Sequence, residues 1–320
     1  MSSADAGFGF CVTINLNLRE GPCPPAPEPG CEAHRDNVKF MIVLSHVQTT
    51  RILEAHKRGR SEVKVSLDLN LTESEINLEA EGVLFPTGER LDWKSIEEIS
   101  GNETACYAVH NRAAKTIKGF SESSGRVYGL MPTPSAPTML ISGIPMHRIK
   151  DTDPYRDTLQ KIKAVAPVKG DVLDTTTGLG YTAIEAAKTA RRVVTIEIDP
   201  TAQEMARLNP WSQALFESPN IEQIIGDAFE EIEKFDRESF SAILHDPPMF
   251  SLAGDLYSLA FYQQAFRVLK RNGRMFHYIG DPESKSGERV TAGAIRRLQG
   301  AGFKRVIRAP RAFGIVAYKE

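Results

Sequence analysis

Residues 170–200, GDVLDTTTGLGYTAIEAAKTARRVVTIEIDP, decide how the second half of the chain folds. An apolar run closes on Asp174, and a threonine and glycine loop follows. An amphipathic helix pattern then leads to a second apolar run that closes on Glu197. Strand, tight loop, helix, strand is the building unit of a parallel sheet. Gly178 and Gly180 stand where the backbone must turn sharply beside whatever the loop holds. A GxGxxG fingerprint is absent, and any tight strand-to-helix turn uses glycine, so the loop alone leaves its ligand open. The spacing narrows the choice: Glu197 follows about twenty residues downstream at a strand's carboxyl edge, where an acid accepts bonds from both hydroxyls of a ribose.

The same rhythm extends outward from this unit. TLQKIKAVA reads as a helix before it, and TAQEMARLN as a helix after it. IEQIIGDAFE and FSAILHDPP read as strands, LAFYQQAFRVLKRNG as a helix and RMFHYIGDP as a strand. Helix VTAGAIRRLQGAG and strands KRVIRAP and GIVAYKE complete the chain. The pattern predicts an α/β fold with a doubly wound, mostly parallel sheet closed by an antiparallel hairpin pair. Four successive strands end in an acid: Asp174, Glu197, Asp227 and Asp246. Ligands of such sheets bind outside the carboxyl ends of the strands, so all four acids face one crevice. Capping of the following helix explains any one of them, but explains the series less well.

Upstream, VKVSLDLNL, EINLEAEGVLF and RLDW alternate apolar and polar residues between turn signals, as strands of a small antiparallel sheet do. DWKSIEEIS fits a short helix, and ACYAVH, TIKGFSE and RVYGLMP read as further strands. The segments divide as a mobile extension at 1–36, rich in Pro and Gly, a small N-terminal β-rich domain at 37–137, a proline-rich connector or lid at 138–156, and the α/β domain at 157–320. Met41 begins an apolar stretch and is a candidate alternative start.

The 320-residue chain has a formal net charge of −2, which gives no global attraction to nucleic acid. A local patch of Arg296, Arg297, Lys304, Arg305, Arg308 and Arg311 offers one, although a solvated helix and strand face explains it as well. No apolar run reaches the roughly 18 residues that a membrane helix requires, and no signal-peptide core precedes Pro22 to Pro29, so a cytoplasmic location and no membrane partner are expected. Cys11, Cys23, Cys31 and Cys106 form no CxxC pair and no zinc-finger spacing, so no metal site is expected and reduced thiols suit the cytoplasm.

With its acid series and DTTTGLG loop, the chain resembles the class I S-adenosylmethionine (SAM) dependent methyltransferases over about Asp157 to Glu320. The resemblance implies a Rossmann-like fold and SAM as cofactor. Asp174, Thr176, Gly178 and Gly180 then line the methionine side, Glu197 with Ile198 holds the ribose, and Asp227 with Ala228 meets the adenine. Asp174 and the threonines stand where this family commonly has Glu and Gly. A cationic sulfonium and an ammonium make carboxylates near the loop favourable. Longer strings, among them PTMLISGIPMHRIKDTDPYRDTLQKIK, LNPWS and HDPPMFSLAGDLYS, are similar to a group of predicted archaeal and bacterial methyltransferases.

HDPPMF resembles the Asp-Pro-Pro-aromatic motif of amino-directed methyltransferases, in which the first side chain and a proline carbonyl orient a planar amine. Asp246, His245 and Pro247 are therefore the catalytic candidates, with the aromatic, Phe250, one place late. A DPPxF motif also resembles certain ribosomal RNA cytosine carbon-5 methyltransferases, which need a nearby cysteine; none follows Cys106. His147, Arg148, His277 and Tyr278 are candidate substrate contacts, with a satisfied buried histidine as the competing reading for His245 and His277. LNPWS reads as a helix stop that packs Trp211 near the adenosine.

The leading expectation is methyl transfer to a nitrogen, with oxygen second, on a small molecule or RNA. One alternative is an aminopropyltransferase resembling spermidine synthase; another is a noncatalytic RNA-binding module. The sequence leaves the oligomeric state open.

Overall fold

Seven strands form the central sheet: β1 (Asp171–Asp174), β2 (Arg192–Glu197), β3 (Ile221–Ile225), β4 (Phe240–His245), β5 (Leu269–Tyr278), β6 (Arg305–Ala309) and β7 (Gly314–Tyr318). They lie in the order β3-β2-β1-β4-β5-β7-β6. The first five are parallel and β7 runs antiparallel to both neighbours, as the sequence pattern requires. The order reverses between β1 and β4, which opens a crevice at their carboxyl ends. These features come from a computed structural model that describes residues 41–248, 253–281 and 284–320, so the expected extension at 1–36 and Phe250 lie outside the described residues.

Helices cover both faces: α1 (Pro154–Val165), α2 (Tyr181–Ala187), α3 (Pro200–Arg207), α4 (Leu259–Val268) and α5 (Lys285–Gly300). Every residue of β1 is buried, because a parallel sheet clothed on both sides has no solvent face. Alternate strand residues feed two cores. Val172, Ala242, Leu244 and Phe276 enter one, and Leu173, Ile243 and Met275 enter the other.

The α1 helix starts where Asp153 accepts from the Arg156 N–H and Pro154 supplies the preset first turn. Its buried stripe is Pro154, Asp157, Thr158, Lys161 and Val165, while Leu159 is 39% exposed. Two charged residues, four apart and therefore on one helix face, point inward in place of the leucine.

Upstream the chain forms three small antiparallel sheets instead of one. The strand Glu62–Val65 takes in only the first three residues of the VKVSLDLNL run. The Asp68 carboxylate accepts from the N–H groups of Leu71 and Thr72, so side-chain bonding takes the backbone away from the ladder. Thr138–Ile141 pairs with Arg126–Met131, and Tyr128 in that sheet donates to Asp199 at 2.7 Å, which anchors it beside α3. Trp211 donates from Nε1 to the Leu69 carbonyl at 2.8 Å and lies 5.4 Å from the Tyr155 ring. LNPWS is thus a helix stop, as expected, whose tryptophan docks upstream segments. After β4 the expected helix through Gly273 ends at Val268, because Leu269 begins β5 by pairing with Phe240. Among the described residues no helix is long and apolar enough to cross a membrane.

Candidate active site

The crevice has two edges built by different physics. On the first, β1 ends in the threonine and glycine loop. Gly178 adopts φ +53°, and a Cβ placed there would meet nothing within 4 Å, so the bare backbone faces open space. Gly180, at φ +77°, has a packing reason instead: a Cβ would meet the Leu215 side chain at 2.7 Å. Glu197 at the end of β2 accepts from the Gly178 N–H at 2.8 Å and from the Asp199 N–H at 3.0 Å. Burial raises its pKa and the backbone donors oppose that rise. Next to it Ile198 is 63% exposed, an apolar surface beside an acid at the crevice rim. Asp227, half-buried after β3, caps the following short helix by accepting from the Phe229 N–H.

The second edge is held by side chains. Asp246 follows β4, and one of its oxygens lies 2.6 Å from Lys161 Nζ, which also reaches Asp157 at 2.8 Å. Asp157 in turn receives Arg148 at 2.8 Å, and the Arg148 guanidinium lies 3.3 Å from the centre of the Phe313 ring. Thr176 of the glycine loop donates to the Asp246 carbonyl at 2.8 Å and so ties the two edges together. Pro247 is buried, and Pro248 accepts from the Tyr257 hydroxyl at 3.1 Å. Tyr278 lies under Lys161, 4.7 Å from ring centre to Nζ. Burial raises the Asp246 pKa, and Lys161 opposes the rise.

Several candidates take other roles. His245 is fully buried. Its Nδ1 meets Thr175 at 2.7 Å, its Nε2 meets the Leu256 carbonyl at 2.9 Å, and burial lowers its pKa to about 3. It is a neutral structural residue, not a proton acceptor, because strand alternation turns it away from Asp246. His277 is also fully buried, bonded through Nε2 to the Tyr262 hydroxyl at 2.8 Å, and burial lowers its pKa. The neighbouring Tyr278 is the one that reaches the crevice. Asp174 has no exposed surface: its carboxylate receives the Thr182 and Thr195 hydroxyls beneath the loop, and burial raises its pKa to about 8. Thr176 braces Asp246, and the Ala228 methyl belongs to the core.

His147 bonds Thr138 through Nδ1 at 3.0 Å and sits 5.3 Å from the Tyr181 ring; burial, with the nearby Lys161 charge, lowers its pKa to about 3. Arg148 is engaged by Asp157 and by the Arg311 carbonyl. In the basic patch, Arg308 pairs with Glu288, Arg297 donates to the Tyr257 carbonyl and Arg305 covers the Tyr318 ring. Cys106 is buried in an apolar cluster with its thiol pKa raised by burial, so it is no nucleophile. The sequence reading missed Asp157 and Lys161. The signal available was two opposite charges on the stripe that Pro154 and Val165 share.

Four likenesses to known proteins bear on this site. A family model described as "Methyltransferase small domain" matches residues 157–282. An uncharacterized protein of Methanocaldococcus jannaschii, MJ1233, is 40% identical over 288 residues, which is 88% of this chain and 98% of that protein. A polyamine aminopropyltransferase of Pyrobaculum islandicum is 32% identical over 120 residues, 35% of this chain and 41% of that one. Among solved structures, the spermidine synthase of Thermotoga maritima is similar at a TM-score of 0.51 and 19% identity, covering 65% of this chain and 76% of that one. That last likeness is one of fold.

Proposed function

Because the chain belongs to the class I SAM-dependent methyltransferases, we propose that it transfers the methyl group of SAM to a nitrogen acceptor presented to Asp246, with oxygen as the second candidate. The observation that carries this reading is the Asp246 carboxylate itself. It stands at the carboxyl end of β4, with one oxygen clamped by Lys161 and its carbonyl fixed by Thr176.

The first edge of the crevice fits the cofactor. Glu197 and Asp227 have no ion-pair partner among the described residues, so they attract a cationic ligand, and exposed Ile198 suits the flat face of an adenine. Bound SAM supplies an electrophilic methyl carbon on a positively charged sulfur. Glu197 would hold the ribose hydroxyls, and Gly178 lets the backbone come close. Asp246 would accept an N–H of the acceptor and aim its lone pair, a matter of orientation and proximity. The two prolines stiffen that presentation. His245, neutral and doubly bonded, holds the strand end in place.

Calorimetry with SAM tests the cofactor. Methyl-labelled SAM incubated with fractionated cell extract then shows whether label enters RNA, protein or small molecules, and product analysis distinguishes nitrogen from oxygen. Failure to bind SAM overturns the reading. The aminopropyltransferase alternative is favoured by the 120-residue similarity to the Pyrobaculum enzyme. Release of methylthioadenosine from decarboxylated SAM and putrescine would select it. A noncatalytic RNA-binding role does not fit a member of this family. The free thiol of Cys106 is compatible with a cytoplasmic setting.

A further inference from the structure

The acceptor edge is balanced in charge and the cofactor edge is not. Asp246 and Asp157 face Lys161 and Arg148, whereas among the described residues neither Glu197 nor Asp227 has a basic side chain in ion-pair reach. Resting on the reading that Asp246 receives the methyl acceptor, we propose that Lys161 is a specificity-determining residue. It makes this subsite select a nitrogen that arrives uncharged, and reject an ammonium such as that of a polyamine.

Lys161 is 3% exposed and is held by carboxylates at 2.6 and 2.8 Å, so its charge is fixed in place instead of waving in solvent. The second Asp246 oxygen has no hydrogen-bond partner among the described residues, and the side chain is 20% exposed. The crevice is therefore offered one carboxylate oxygen whose charge is already neutralised. That oxygen suits the N–H of a planar, uncharged nitrogen. A cation placed there would lie close to the Lys161 ammonium in a water-poor site, where like-charge repulsion is strong. Burial alone would lower the Lys161 pKa, but Asp246 and Asp157 raise it above its ordinary value, so the charge persists at neutral pH.

The chemistry balances without another reagent. The nitrogen lone pair forms the N–CH3 bond while the S–CH3 bond breaks and leaves its electron pair on sulfur. The N–H proton passes to Asp246 and then to solvent. Lys161 acts through Asp246, so it positions and selects and does not itself touch the reacting atoms.

The test is calorimetric titration of putrescine, and separately of spermidine, into protein saturated with S-adenosylhomocysteine. The wild type is compared with Lys161→Gln and Lys161→Arg, each checked for folding by circular dichroism. Wild type and Lys161→Arg should bind the cations only weakly, whereas Lys161→Gln should bind them at least about tenfold more tightly than the wild type does. A further Asp246→Asn change in Lys161→Gln should abolish that gain. Lys161→Met serves if the glutamine variant does not fold. Tight putrescine binding by the wild type, or no gain when the lysine charge is removed, overturns the proposal. Loss of S-adenosylhomocysteine binding by the wild type instead counts against the methyl-transfer reading, so the two failures are distinguishable.

Discussion

The two edges of the crevice hold their carboxylates by opposite means. Glu197 and Asp227 are fixed by main-chain N–H groups close in sequence or on the adjoining strand end, and Asp174 by threonine hydroxyls. Asp246 is fixed by Lys161, 85 residues away along the chain, and through it by Asp157 and Arg148. Main-chain donors orient an acid while leaving its charge for a cationic ligand. A buried cation orients an acid and cancels its charge. One edge is consequently suited to holding a cation, and the other to presenting an uncharged group.

Removing charge on each edge should have opposite consequences for stability, and this is where the largest effects are expected. Asp174 is buried without a cation, and its folded pKa of about 8 lies far above its unfolded value. Its contribution is therefore fully present below about pH 4 and is lost as pH rises toward 8. Wild type should lose stability relative to Asp174→Asn by several kcal/mol across that window, measured as the difference between their urea midpoints at stepped pH. A flat difference would mean that Asp174 does not hold its proton in the folded protein as its burial requires. On the other edge, Lys161→Met leaves two buried carboxylates without their cation. It should cost about 3–5 kcal/mol at pH 7 by urea unfolding.

Function should divide along the same line. Asp246→Asn should lower methyl transfer about 100-fold, read with labelled SAM once the acceptor is in hand, while leaving SAM affinity unchanged. Glu197→Ala should do the reverse, weakening SAM about tenfold in calorimetry through the loss of a charged hydrogen-bonding group. If both changes act on the same parameter, the division of the crevice fails. The smallest effect belongs outside both edges: Arg308→Ala breaks only a solvent-exposed pair with Glu288 and should leave the thermal midpoint and SAM affinity unaltered.

Legibility followed the same division. Strand ends at Glu197, Asp227 and Asp246 were readable because short apolar runs, closed by an acid and a turn and separated by helical segments, report strand position directly. The roles of the two histidines turned on orientation. Alternation from Asp246 puts His245 on the far side, yet only the packed structure shows both of its nitrogens occupied and its ring beside His277, 4.5 Å away. Asp174 looked like its three companions, but the Thr195 and Thr182 hydroxyls draw it beneath the loop. The α1 helix misleads a reading by hydropathy, since Leu159 is exposed while Lys161 is enclosed. Periodicity identifies which residues share a face; it does not say which face meets the sheet.

By itself, then, the sequence determined the alternation of strands and helices, the glycine turn after β1 and the row of acids at the strand ends. All of these depend on residues near one another along the chain. Only the tertiary structure decided which acids keep a free charge, because a buried ion pair forms where α1 packs beside the end of β4. That placement depends on how the whole core fills, and no local spacing encodes it.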